Sequence, residues 1–192
     1  TCGRLMSIMM KKLSLHRRQF LNVAGASLAG AALVRPAFAA PAPAVQTRTL
    51  TLFNLHTGDT FTGAYWDKGA FVPDAAAEIA RVMRDHRNNE IHDIDPHLFD
   101  VLSDLGGKLE TKAPFQIISG YRSPASNAAL HEASDGVATH SLHMDGKAID
   151  IRVKGVACEH LRDAALGLQR GGVGFYPASD FVHVDTGRIR RW

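Results

Sequence analysis

The chain has 192 residues, of which 45% are hydrophobic and 21% are charged, a composition that supports one domain with a buried core. Six basic residues and no acidic ones lie in residues 1–39, namely Arg4, Lys11, Lys12, Arg17, Arg18 and Arg35. Subtracting these six charges from the formal net charge of +3 leaves −3 for the rest of the chain, which excludes the strongly basic surface typical of nucleic-acid-binding proteins. Cys158 is the one cysteine beyond residue 39, so an internal disulfide there is excluded and a small buried hydrophobe is predicted.

The first 39 residues are organised like a secretory signal. Basic residues precede the mild apolar run Phe20–Val34, and Ala37-Phe38-Ala39 supplies a small-x-small cleavage site. The run is about 15 residues long, too short for a stable membrane span. Arg17-Arg18-Gln19-Phe20-Leu21 resembles the twin-arginine export motif; a general secretory signal with two arginines is the alternative. We therefore expect an exported protein of the periplasm or cell envelope.

Residues 40–47 are predicted to be a linker, because the stretch that begins it is rich in Ala and Pro. The domain over residues 48–192 then opens with strands at 48–55 and 60–66, which are joined by a turn at 57–59. A helix is predicted over 73–87, and a second one from Asp95-Pro96 to Gly106-Gly107.

The second half of the domain alternates short strands with helices. Strands are predicted at 115–118 and 148–153, with a short helix at 126–131 between them. A helix over 156–170 ends at Gly171-Gly172, and paired strands at 174–176 and 181–185 follow. This order favours an α+β fold, a mainly antiparallel sheet with helices packed on one side.

The most informative strand is 148–153. Side chains alternate along a strand, so Ile149, Ile151 and Val153 share the core face. Asp150 then lies on the open face beside a small alanine, where a carboxylate suits a metal ligand or a general base. His143 is an odd number of residues before Asp150, and only a bend at Gly146 would bring it to the same face.

The strand 181–185 follows the same logic. Val182 and Val184 face the core, which leaves His183 and Asp185 on the open face. Asp180 lies on the turn that enters this strand, close enough for its side chain to reach the same cleft.

Two histidines and one aspartate, His143, Asp150 and His183, are a suitable ligand set for a hydrolytic zinc ion that keeps one position open for water. A carboxylate outside the metal would transfer the proton of that water; Asp180 is the candidate and Asp185 the rival. Arg122, on the loop after the strand at 115–118, would stabilise the oxyanion.

Other polar residues near these motifs are assigned differently. His140, three residues before His143, is a competing ligand. Asp145 precedes a glycine and is predicted to be a turn residue.

Three motifs occur in order: Ser-Gly-Tyr-Arg-Ser-Pro at 119–124, Ser-x-His-x-x-Gly-x-Ala-x-Asp at 141–150, and Asp-x-x-His at 180–183. Together they resemble the M15 family of zinc D-Ala-D-Ala peptidases, which shares its fold with the Hedgehog signalling domain. Asn-Leu-His-Thr-Gly at 54–58 and Gly-Gly-Val-Gly-Phe-Tyr at 171–176 resemble a formerly uncharacterised bacterial subgroup that contains a murein endopeptidase.

The resemblance implies that His143, Asp150 and His183 bind zinc, that Asp180 is the base, and that Arg122 steadies the substrate or oxyanion. Several members carry Glu at the position of Asp180, and the aspartate carboxylate reaches about 1.5 Å less far.

It further implies a monomeric peptidase that cleaves peptidoglycan stem-peptide cross-links as an endopeptidase. A D-Ala-D-Ala-type carboxypeptidase and a non-catalytic cell-wall-binding domain are the alternatives. An open cleft favours the endopeptidase, and a cation that caps the substrate carboxylate favours the carboxypeptidase.

Overall fold

The computed structural model describes residues 47–134 and 136–192, so the predicted signal and nearly all of the predicted linker lie outside the described residues. Twelve helices and strands follow in chain order: β1 Arg48–Asn54, β2 Thr60–Asp67, β3 Ala70–Phe71, α1 Pro73–Val82, α2 Pro96–Lys108, β4 Phe115–Ser119, α3 Pro124–Ala133, β5 Ala148–Val153, α4 Cys158–Leu166, β6 Gly172–Tyr176, β7 Phe181–Asp185 and β8 Arg190–Arg191. Two short 3₁₀ turns, Leu142–Asp145 and Pro177–Ser179, precede β5 and β7.

The strands form one eight-stranded sheet in the order β3-β2-β1-β4-β5-β7-β6-β8. Neighbours are antiparallel except for the pairs β1–β4 and β6–β8. The predicted α+β class with a mainly antiparallel sheet is thus consistent with the structure.

Local sequence signals explain where two of the helices begin. Asp95 accepts a hydrogen bond from the backbone N–H of His97, and Pro96 occupies the first turn of α2. Ser123 does the same for α3, accepting from the N–H of Ser126. α3 therefore begins directly after Arg122, which fixes that arginine at the junction between β4 and the helix.

Three predicted helix ends are wrong. α1 stops at Val82 rather than residue 87, because the chain turns there into a loop whose Asp85 binds Ser123. α2 continues through the predicted stop at Gly106-Gly107, and Glu110 is the first residue in the left-handed region. α4 ends at Leu166, and the left-handed residue that follows it is Gln169 rather than a glycine.

One contiguous core lies between the sheet and helices α1, α2 and α4. The strands contribute alternating residues, such as Leu50 and Leu52 of β1 and Ile149 and Ile151 of β5, and the last three of these are fully buried. Cys158 packs against this core while only partly buried. No helix among the described residues is long and apolar enough to cross a membrane.

Candidate metal centre

The pairing of β5 with β7 brings two of the predicted ligands together. The antiparallel register places Asp150 opposite His183, and both side chains point away from the aliphatic rows that fill the core. Asp150 and His183 are only 7% and 8% exposed. The strand alternation read from the sequence therefore placed both side chains on the correct face.

His143 reaches the same point from the 3₁₀ turn Leu142–Asp145. Gly146 ends this turn in the left-handed conformation, at φ 64°, as the predicted bend requires. A Cβ at Gly146 would lie 2.1 Å from the carbonyl oxygen of Asp93, so no larger residue fits there. Asp145 is the exposed last residue of the turn, in agreement with its assignment as a turn residue.

The three side chains form a compact triangle. His183 Nδ1 lies 2.9 Å from Asp150 Oδ1, His143 Nε2 lies 3.3 Å from the same oxygen, and the two ring nitrogens are 3.2 Å apart. A tetrahedral zinc ion with bonds of about 2.0–2.1 Å needs ligand atoms about 3.3 Å apart. The triangle therefore has the size of one face of a zinc coordination sphere.

The outer nitrogens of both rings explain why the inner nitrogens are free to bind a cation. His143 Nδ1 lies 2.7 Å from the carbonyl oxygen of Gly120, so it donates a hydrogen there and leaves the lone pair of Nε2 toward the triangle. His183 Nε2 lies 3.0 Å from Asp185 Oδ2, to which it donates, so the lone pair of Nδ1 also points inward. Two nitrogen lone pairs and a carboxylate oxygen thus converge, an arrangement that could hold a metal ion.

The charges around the triangle favour this arrangement. Burial alone would raise the pKa of Asp150, but His143 and His183 outweigh it and hold that pKa below its usual value. Burial favours the neutral form of His183, whereas its hydrogen bonds to Asp150 and Asp185 raise the pKa of the ring. The same contacts that raise the pKa of His183 would favour a metal ion, whose positive charge can replace that of a proton.

Arg122 lies beside the triangle and is 9% exposed. Its guanidinium approaches Asp150 Oδ2 at 3.9 Å and contacts Ser119 and Asn127 at 3.3 and 3.4 Å. Its Nε is buried and has no hydrogen-bond partner among the described residues. The loop that carries it is fixed because Asp85, which is fully buried, accepts from both the N–H and the hydroxyl of Ser123.

The two candidate bases lie in different surroundings. Asp180 precedes β7 in the left-handed conformation, with a side chain that is 64% exposed and lies 3.4 Å from Arg152. Asp185 is 1% exposed, and both of its oxygens accept hydrogen bonds from His183, Arg190 and backbone amides. Neither residue belongs to the triangle that holds the predicted ligands.

The triangle opens into a cavity of about 560 Å³. One side is aromatic: the rings of Tyr176 and Phe181 stack at 4.5 Å, and Trp192 Nε1 donates to the hydroxyl of Tyr176 at 2.7 Å. The Trp192 ring lies 5.2 Å from that of His183. His140, the predicted competing ligand, also lines the cavity but lies outside the triangle.

Several contributors to the site escaped the sequence analysis. Tyr176, Trp192 and Arg190 line the cavity, although only the tyrosine lies within a motif that the sequence had singled out. Gly120, within another such motif, supplies the carbonyl that orients His143. The arginine and tryptophan come from the last strand and the residue after it, a segment too short to carry a periodic signal.

Comparison with known proteins finds peptidases, which is consistent with the triangle of potential metal ligands. The family model described as peptidoglycan L,D-endopeptidase MepK, of the M15_2 peptidases, matches residues 42–192. The peptidoglycan L,D-endopeptidase MepK of Escherichia coli (strain K12) is 44% identical over 186 residues, which cover 95% of this chain and 100% of that protein. The probable peptidoglycan L,D-endopeptidase MepK of Haemophilus influenzae is 36% identical over 178 residues, 92% of this chain and 95% of that protein.

No solved structure matches this chain. The family model covers most of the chain, including all the strands that build the metal centre, and both relatives align over nearly their full length. This chain therefore belongs to the M15_2 peptidase family.

Proposed function

We propose that this chain is a zinc-dependent murein endopeptidase that hydrolyses peptide bonds in the stem-peptide cross-links of peptidoglycan. The observation that carries the proposal is the buried triangle of His143, Asp150 and His183, whose three inner atoms lie 2.9–3.3 Å apart. Family membership and 44% identity to a peptidoglycan L,D-endopeptidase support the substrate class.

The donor set fits zinc, because imidazole nitrogens and one carboxylate are its usual ligands in hydrolytic sites. When bound, zinc supplies a water of lowered pKa and polarises the scissile carbonyl. The protein's own task is to hold His143 and His183 in the tautomers whose lone pairs face inward, which the acceptors Gly120 and Asp185 accomplish.

We assign the proton transfer to Asp180 rather than to Asp185. All the accepting positions of Asp185 are engaged by donors of the protein itself, so it has no free lone pair for a water proton. Asp180 is held only by an exposed contact with Arg152, which is worth little and is easily exchanged for a substrate or water. Its side chain does not line the cavity, so we expect it to turn away from Arg152 when substrate binds.

We assign the stabilisation of negative charge on the substrate to Arg122. Its guanidinium is buried beside Asp150 and keeps one N–H without a partner among the described residues. A fixed cation in a site of low dielectric stabilises a developing oxyanion more strongly than one in water does.

The cavity favours an endopeptidase over a carboxypeptidase. A carboxypeptidase needs a free cation to cap the terminal carboxylate of its substrate. Among the described residues, the arginines that line the cavity are Arg122, which we assign to the oxyanion, and Arg190, which is paired with Asp185, so neither is left to cap a terminal carboxylate. Retention of the complete ligand triangle argues against a domain that only binds the cell wall.

The chain around the site is assigned as follows. Residues 48–192 form a monomeric peptidase domain of the Hedgehog/DD-peptidase fold, in line with its α+β architecture. Residues 1–39 are a signal of the twin-arginine type, and residues 40–47 are a linker. The substrate class of the relatives supports a periplasmic or cell-envelope location.

Digestion of purified sacculi, followed by separation of the released muropeptides, tests the activity. We expect cross-linked muropeptides to be cleaved, and activity to be lost on chelation and restored by Zn²⁺. His143→Ala should lose both zinc and activity, whereas His140→Ala should keep the zinc. Full zinc occupancy in His143→Ala would refute the metal site.

The base assignment has a matched control in the chain. Asp180→Asn should retain zinc and lose most of its activity. Asp163 is equally exposed, at 63% against 64%, and equally paired with an arginine, so Asp163→Asn should leave activity unchanged. Wild-type turnover in Asp180→Asn would refute the assignment.

The export assignment is tested with residues 1–39 fused to a reporter that functions only after folded export. Replacing Arg17 and Arg18 together by lysine should abolish export by the twin-arginine route. No reporter activity even with the unaltered Arg17 and Arg18 would point to the general secretory route.

A further inference from the structure

We propose that Arg190 and Asp185 are positioning residues of the metal centre: Arg190 holds Asp185, and Asp185 orients the ring of His183 so that Nδ1 faces the metal. The inference rests on the metal site of the proposed function and does not depend on which peptide bond is cut. It also gives a role to Gly171-Gly172-Val173-Gly174, a motif that the catalytic assignment leaves unused.

The first step is the contact between His183 and Asp185. His183 Nε2 lies 3.0 Å from Asp185 Oδ2, on the side of the ring opposite the ligand triangle. A histidine ring that binds a metal through one nitrogen can still rotate or flip unless its other nitrogen is held. A carboxylate acceptor at that position fixes both the tautomer and the orientation of the ring.

The second step is the immobilisation of Asp185 itself. Arg190 donates to Oδ1 at 3.0 Å and to Oδ2 at 2.7 Å, the two-pronged geometry that an arginine forms with a carboxylate. The backbone N–H groups of Gly172 and Gly187 donate to Oδ1 at 2.9 and 2.8 Å. Asp185 is 1% exposed, so these donors leave it a single orientation.

The glycines of β6 and the residue before it make room for this arrangement. A Cβ at Gly172 would lie 2.4 Å from Asp185 Oδ2 and 2.3 Å from Arg190 Nη1. A Cβ at Gly171 would lie 1.7 Å from the carbonyl oxygen of Asp185. Since α4 has already ended at Leu166, the glycines are required for close approach and not as the helix stop that the sequence suggested.

The segment that carries Arg190, β8 and the following Trp192, is itself held in place by contacts with β6. The N–H of Trp192 donates to the carbonyl of Val173 at 3.2 Å, and the N–H of Phe175 donates to the carbonyl of Trp192 at 3.0 Å. The guanidinium of Arg190 lies 4.8 Å from the centre of the Trp192 ring. A Cβ at Gly174 would collide with that ring at 2.7 Å, so a third glycine of the motif serves the same segment.

The test is the affinity of the full chain for Zn²⁺ alone, measured by competition with a chromophoric chelator. Asp185→Asn keeps the shape of the side chain but removes the charge, and we expect zinc binding about 10- to 100-fold weaker. Arg190→Gln should weaken binding in the same direction, and Arg190→Lys should restore part of the loss. Arg191→Gln, at the exposed neighbouring position of β8, is the matched control and should bind zinc as wild type does.

A second readout separates orientation from general stability. In the zinc-loaded protein, the Nε2–H proton of His183 should give a slowly exchanging NMR signal, which should broaden or disappear in Asp185→Asn. Circular dichroism in the presence of chelator shows whether each variant folds. If Asp185→Asn does not fold, the zinc affinity of Arg190→Gln tests the inference instead. If the folded variant binds zinc as tightly as the wild type, the positioning role is wrong but the metal site stands. If the wild type does not bind zinc, the metal site is wrong as well.

Discussion

Gly120 lies where the loop that carries Arg122 packs against the segment after α1, and replacing it by alanine tests how tightly the metal centre is supported. A Cβ at this position would lie 2.3 Å from the carbonyl oxygen of Met83 and 2.9 Å from its Cβ. The same peptide supplies the carbonyl oxygen that accepts from His143 Nδ1 at 2.7 Å. The substitution therefore strains the packing and displaces the acceptor of a metal ligand together.

The size of the effect follows from these distances. Reaching even the closest observed Cβ contact, 3.0 Å, requires the two backbone segments to separate by at least 0.7 Å. That separation would stretch the neighbouring hydrogen bond from the N–H of Tyr121 to the carbonyl of Met83, which is now 2.7 Å. Overpacking of this kind costs about 1–3 kcal/mol of unfolding free energy. Loss of the fixed acceptor of His143 should weaken zinc binding about 10- to 100-fold.

Urea unfolding of the metal-free protein measures the first quantity, and chelator competition with Zn²⁺ measures the second. Gly107→Ala is the control, because Gly107 lies within α2 and a Cβ there meets no atom within 4 Å. This control should raise the unfolding free energy by about 0.5–1 kcal/mol and leave zinc affinity unchanged. If Gly120→Ala retained both wild-type stability and wild-type zinc affinity, the close packing inferred for this loop would be wrong.

Three further predictions concern the cavity, pH and metal. Trp192→Leu removes an aromatic face of the cavity, so we expect KM for cross-linked muropeptides to rise about 5- to 30-fold, the equivalent of about 1–2 kcal/mol. Tyr176→Phe removes only the acceptor of the tryptophan N–H and should have a smaller effect. Kinetics equal to wild type in both variants would contradict this prediction. Burial, together with the charge of Arg87, lowers the pKa of His86 from 6.5 to about 4, so the stability present above pH 6.5 should fall by about 1 kcal/mol as the pH drops to 4, after allowance for partial exposure. Urea unfolding at both pH values measures this loss, which His86→Gln should abolish. Chelation of zinc supplied at about a thousandfold over its dissociation constant should lower the unfolding free energy by about 4 kcal/mol, and a melting temperature unaffected by chelator would count against a bound ion.

The sequence alone determined which face of each site strand carries the chemistry. Strand alternation is a local property, so the aliphatic residues of β5 and β7 revealed that Asp150 and His183 point away from the core. The left-handed glycine at 146 was equally local, since a turn that reverses the chain needs a positive φ there. The fold class followed from the same periodicities.

The helix ends were less predictable, because tertiary contacts decide them. α1 stops at Val82 where Asp85 leaves the helix to bind Ser123, a residue 38 positions away. No local pattern contains that partner.

The tertiary structure alone distinguishes the surroundings of the two candidate carboxylates. The sequence analysis favoured Asp180 as the base and left Asp185 as its rival, since both lie near the same histidine. The structure shows that Asp185 accepts hydrogen bonds from Arg190 and from the backbone N–H of Gly172. Those partners are 5 and 13 residues away along the chain, and they meet through strand pairing, which periodicity cannot specify. The three residues of the candidate metal triangle could thus be predicted from the sequence, whereas the residues that contact and orient them are brought together only by the fold.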